Sequence, residues 1–308
     1  MLDETCGGGD GIAWHWSIVT SSATNSQLAG VLASVLFTGI VLLFGRRERV
    51  HLQIIALFAA GFMSLGLDSY MFSMITGIRP LVQGKGISES ACLQAWAQGM
   101  PASGLLAVGG TSLVCGLGWM LSTHQTEAAQ KQESGTLRPV DNYASYLTGW
   151  MSAGVILTTT LLLAVTNWDF LDVMYALKPS PFLHRAVLSL DIAIALSSSG
   201  IALVRTCRPR RRPGNPHESA PPRTLPWAAY SIVISAACGT IFAGLLTHYP
   251  ENWTSAWIYA ISVFGILFGS IAPCGISILL AMSLPRLEGS APAAPLQPAA
   301  AVPPEPVS

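Results

Sequence analysis

Seven stretches of the chain are apolar for the length a lipid bilayer demands, and the polar positions cluster between them. A membrane-crossing helix needs about 20 predominantly apolar residues. That criterion places spans at 27–45, 53–77, 101–122, 144–166, 186–205, 227–248 and 257–284. The first is the shortest. The seventh is long and contains Pro273 and Gly275, and Pro273 removes a backbone donor, so this helix is expected to break or kink there. The pattern predicts an all-α integral membrane protein: an extracytoplasmic segment over 1–26, a bundle of seven transmembrane helices over 27–286, and a disordered Ala/Pro-rich cytoplasmic tail over 287–308.

Composition reinforces this class. Only 10% of the residues are charged and the mean hydropathy is +0.50, whereas soluble domains carry about 25% charged residues. The 16 basic and 16 acidic residues cancel, which gives no ground for nucleic-acid binding. Thirteen of the basic residues are Arg, as coding bias in a GC-rich genome produces. The start of the chain is acidic and lacks the basic region of a cleavable signal, so the first span is expected to act as a signal anchor. The setting this predicts is the plasma membrane of a bacterium.

Charge in the loops orients the bundle. With the N-terminus outside, twelve Arg and Lys residues fall on cytoplasmic segments and four on outer ones, which is the bias the positive-inside rule requires. The third cytoplasmic loop concentrates Arg208, Arg210, Arg211 and Arg212. These residues determine topology and are candidates to meet anionic lipid headgroups. Trp14, Trp16, Trp96, Trp168, Trp253 and Trp257 would form an outer aromatic belt, with Trp119, Trp150 and Trp227 near the inner interface. Close helix packing is expected at Gly30/Ser34, Gly239/Ala243, Thr240/Gly244 and Gly265/Gly269.

Two carboxylates interrupt this apolar pattern. Asp68 lies in the second span and Asp191 in the fifth, while every other acidic residue is in a loop or at a span end. Counted at 1.5 Å per residue, both come out about 5 Å outward of the midplane, so they share a depth. Ser64 lies one turn from Asp68, and His184, Asp191 and Ser198 occupy one stripe of the fifth span, with His184 about 10.5 Å from Asp191 along the axis. An ionisable group at this depth costs at least about 2.5–3.5 kcal/mol and faces the bundle interior or a wet cavity. The two acids are expected to meet and form a proton or cation site, with at least one of them holding its proton. The bland reading is a hydrogen-bonded Asp that fixes helix register with Tyr70, Thr158–Thr160, Ser112 or Ser270.

Other chemistry finds little support. The three lysines, Lys85, Lys131 and Lys178, lie in loops, which excludes a retinal Schiff base in the last span. Inverted and parallel transporter repeats do not align the two acids. Cys115, Cys238 and Cys274 read as small apolar packing residues, and Cys6 and Cys92 fall together on the oxidising outer side as a candidate disulfide. Scattered His and Met residues make no metal site. Cofactor and nucleophile motifs are likewise wanting, so no cofactor and no enzymatic activity are expected. Three classes remain: a small-molecule or proton/cation-coupled transporter, favoured by the embedded acids and the break at Pro273; a non-catalytic accessory or assembly subunit; and a seven-helix receptor or sensor.

Overall fold

The computed structural model describes residues 6, 17–45, 49–78, 81–82, 86–87, 89–131, 139–175, 181–207, 224–246 and 254–284. Arg208, Arg210, Arg211, Arg212 and the tail over 287–308 lie outside the described residues, as does most of 1–26. The elements are α1 (Ile18–Leu43), α2 (Arg49–Ile75), β1 (Leu81–Val82), β2 (Gly86–Ile87), α3 (Glu89–Lys131), α4 (Pro139–Met174), α5 (Pro181–Cys207), α6 (Thr224–Leu246), α7 (Ser255–Ile266), a π-turn (Leu267–Ile271) and α8 (Ala272–Ser283). Seven of the helical stretches are long and apolar enough to cross a membrane, the last being α7, the π-turn and α8 taken together. The two short strands form an antiparallel ribbon between α2 and α3.

Several helices start earlier than their apolar runs. α1 begins at Ile18 because the Ser17 hydroxyl caps it, accepting from the Thr20 backbone N–H at 3.2 Å. With 26 residues it is longer than the 23-residue α6, so the first span is not the shortest. α3 begins at Glu89 and carries Pro101 in its interior rather than at its start. A membrane helix tolerates such a proline when neighbouring helices compensate. Lys131 closes α3 instead of standing in a loop.

α3 is the hub. It packs against α1, α2, α4, α6, α7, the π-turn and α8, while α2 packs on α1, α3 and α6, and α5 packs chiefly on α4 and α8. Because lipid offers no hydrophobic drive between helices, close approach and hydrogen bonds must hold them. Ser26 and Ser69 clasp α1 to α2 reciprocally, each hydroxyl donating to the other residue's carbonyl, at 2.9 and 3.0 Å. Gln98 ties α3 to α6, its Nε2 donating to the Ala243 carbonyl at 3.2 Å.

The small-residue stripes fare unevenly. Gly239 stands against Pro101 and Leu105, Gly265 against Phe170, and Gly269 against Met100, so these positions do serve packing. Ser34 is exposed and α1 instead buries Ala29, Ala33 and Leu36. Nothing lies within 4 Å of where a Cβ on Gly244 would stand. Trp96 also departs from its expected place: it is 1% exposed and donates its indole N–H to the Cys6 carbonyl at 2.9 Å, so it belongs to the core and not to a lipid-facing belt.

Cys6 and Cys92 are joined by a disulfide with a Cα–Cα distance of 5.2 Å. Cys6 has a left-handed φ of 61°, a conformation costing an L-residue about 1–2 kcal/mol. Mass spectrometry of the non-reduced, alkylated protein should recover a peptide pair linking Cys6 to Cys92; alkylation of both thiols without reductant would contradict this bridge.

Candidate functional site

The described part of the bundle holds one polar cluster assembled from three separate spans. Asp191 is 1% exposed. The Asn167 amide of α4 donates to its Oδ2 at 2.6 Å, and the Ser270 hydroxyl of the π-turn donates to its Oδ1 at 2.6 Å. Asn167 and Ser270 are themselves 1% and 0% exposed. Cys274, buried with a free thiol, lies beside Ser270 and within electrostatic reach of Asp191.

Local sequence favours an interruption at this point. Pro273 lacks an N–H, so the regular helical bond to the Gly269 carbonyl cannot form, and the chain widens by a π-turn over Leu267–Ile271 immediately before α8. Such single wide turns inside α-helices recur at functional positions. Here the turn brings Ser270 onto the face that meets Asp191. Gly275, the other expected break position, lies within α8 with open space around it. The interruption therefore precedes Pro273 and does not follow it.

The π-turn is seated on α3 through glycine. A Cβ on Gly104 would stand 2.6 Å from the Phe268 carbonyl oxygen and 3.0 Å from the Gly269 Cα. Only a residue with no side chain admits two backbones this closely.

A second polar pair lies further along the same two helices. His184 Nε2 is 2.9 Å from Asp172 Oδ1, and the Trp168 ring packs edge-on against the imidazole with centroids 5.2 Å apart. His184 is buried, whereas the Asp172 side chain is 50% exposed. The pair thus connects the interior of the α4–α5 interface with the surface, at the end of the bundle that holds Cys6.

Asp68 has a different environment. It is 0% exposed, and neither carboxylate oxygen has a hydrogen-bond partner. Ser64, one turn away, is spent on the Leu105 carbonyl at 3.2 Å. Ser198 likewise donates to its own helix, to the Ile194 carbonyl at 2.7 Å. Tyr70 is exposed, Thr158, Thr159 and Thr160 bond carbonyls of α4, and Ser112 bonds the Gly109 carbonyl, so of the hydroxyls expected to serve an embedded acid only Ser270 does.

The two acids are not brought together by any contact. Asp191 is engaged by α4 and the π-turn, Asp68 faces the neighbours of α2, and those neighbours are α1, α3 and α6. The expected stripe of His184, Asp191 and Ser198 does exist on α5, but its members serve different partners. Asn167, Asp172 and Cys274 join these sites without having been singled out as ligands in the sequence. No protein-family model matches the chain, and neither does any curated protein or any solved structure.

Proposed function

We propose that this protein is a small-molecule or proton/cation-coupled membrane transporter whose working centre is Asp191 at the interruption of the seventh span. The observation that carries this reading is the buried carboxylate held by donors from two other helical segments, one of them a π-turn. Intramembrane acids in bundle interiors are the usual carriers of protons and cations, and discontinuous membrane helices are where transporters coordinate their coupling ions. Two motions of the same elements would alter the cluster: separation of α4 from α5, and rewinding of the π-turn, which would carry Ser270 off the face it shares with Asp191. The His184–Asp172 pair, half of it at the surface, supplies an approach to this centre along α5.

An accessory subunit is the competing reading, and a fully hydrogen-bonded Asp191 is what favours it, since a satisfied polar cluster also pins helix register. Reconstitution separates the two. Purified full-length protein in sealed vesicles should pass protons or alkali cations down an imposed gradient faster than protein-free vesicles do. Equal rates would leave the accessory reading standing.

The same proposal includes an orientation, N-terminus outside and C-terminus cytoplasmic, supported by the twelve-to-four distribution of basic residues. A cysteine reporter placed within 206–224 of a variant lacking its other free thiols should react with a membrane-impermeant maleimide only after the cells are opened. Reaction on intact cells would reverse the orientation.

A further inference from the structure

We propose that Asp68 is a proton-binding site of its own, a carboxyl in the seam between α2, α3 and α6 that releases and retakes its proton independently of Asp191. For its role in flux this rests on the transport reading above; for proton binding it rests on the surroundings of Asp68 alone.

Those surroundings follow from the register. α2 and α3 run antiparallel, with Gly61 against Ser112, Leu65 against Gly109 and Ser64 bonded to Leu105. One turn on from Ser64, Asp68 stands at the level of the α3 turn from Pro101 to Leu105. α6 covers the same turn: a Cβ on Gly239 would lie 3.6 Å from Pro101 Cβ and 3.9 Å from Leu105 Cδ1, and Thr240 reaches Met71 Sδ at 3.9 Å. Ala102 on this stretch of α3 and Ala236 and Gly239 on this stretch of α6 are small and buried. On the α2 face shared by Ser64 and Met71 stands Asp68, a fully buried acid with no donor for either oxygen.

Among the described residues, no counter-charge is within reach. α1 and α6 contain no Asp, Glu, Lys, Arg or His. On α3 such residues are confined to the ends, at Glu89, His124, Glu127 and Lys131. On α2 itself Arg49 and His51 are about 25 Å back along the axis. The other titratable groups of these helices are Tyr70 and Tyr230, both exposed, the thiols Cys115 and Cys238, and Cys92 in its disulfide.

An ionised carboxylate in such a place would lack water, donor and cation together, so the closed seam holds Asp68 in its neutral form. Ionisation requires α6 to separate from the α2–α3 pair and admit water. The site is therefore coupled to helix movement: closed with the proton on, open with the proton free to leave.

The test compares full-length wild type with Asp68→Leu in lipid nanodiscs, Leu having the same branching as Asp. The infrared difference should show one carbonyl band of a protonated carboxylic acid at neutral pH, shifting on transfer to D2O. The variant should melt no lower than wild type, since it removes a buried polar group that has no partner. Absence of the band, a band that ignores D2O, or a variant melting well below wild type would each overturn the proposal. Flux in vesicles distinguishes the two readings. Flux in wild type that persists undiminished in Asp68→Leu removes Asp68 from transport while the Asp191 reading stands. An exchanging band without wild-type flux removes the transport reading and leaves the proton site.

Discussion

Replacing Asp191 with Asn should abolish flux while leaving the bundle folded, and replacing it with Leu should do both kinds of damage. The difference follows from the partners. Asn keeps one oxygen to accept from Ser270, and its new amide can donate to Asn167 Oδ1, which has no partner in wild type, once the Asn167 amide turns over. Leu offers neither. Ser270 can then fall back on a carbonyl of its own helix, as Ser198 and Thr160 already do. Asn167 has no such exit and keeps its amide buried and unsatisfied. Interhelical hydrogen bonds in membranes average about 0.6 kcal/mol and reach about 1.7, and an orphaned buried donor adds about 1–3. Asp191→Leu should therefore cost about 2 kcal/mol, read as a lower melting temperature, with Asp191→Asn between it and wild type, because it keeps both interhelical bonds but leaves the turned Asn167 amide without an acceptor. Asp191→Leu melting as high as wild type would show that the cluster contributes no stability.

The other large effect is expected at Gly104. Its Cβ position is hemmed by the Phe268 carbonyl oxygen, Pro273 Cγ and Gly269 Cα, and two of these are backbone that cannot rotate away. Gly104→Ala should cost about 1–3 kcal/mol, the ordinary range for overpacking, and Gly104→Leu should stop the π-turn from seating on α3. The folded fraction on size-exclusion chromatography in detergent should collapse for the Leu variant. Gly110→Leu is the control on the same helix, because nothing lies within 4 Å of its Cβ position. Collapse of both variants alike would mean that α3 resists any leucine at a glycine and that the π-turn contact is not the cause.

The seven helices were legible because a bilayer imposes a length, and an apolar run of that length is visible in any composition. Their ends were not. The N-terminal part of α1 reads as polar through Thr20, Ser21, Ser22, Thr24, Asn25 and Ser26, yet the hydroxyl of Ser21 returns to the Ser17 carbonyl and so joins the helix. α4 was expected to stop at 166 and continues to Met174. That shortfall hid Asn167 and Asp172, the partners of Asp191 and His184, which a helix-face count carried two turns further would have exposed. The depth of the two acids could be counted residue by residue, whereas their neighbours could not, because depth says nothing about which helices lie side by side. Pro273 announced an interruption in the seventh span. That it takes the form of a wide turn aiming Ser270 at Asp191 depends on the tertiary seat that Gly104 provides.

The central claim, that Asp191 at the π-turn carries transport, is tested most directly by a single comparison. Proton or alkali-cation flux is measured in vesicles holding equal amounts of folded wild type and Asp191→Asn, under the same imposed gradient. The account predicts flux in wild type and a rate in the variant no higher than in protein-free vesicles. Wild-type flux that survives unchanged in Asp191→Asn would contradict it.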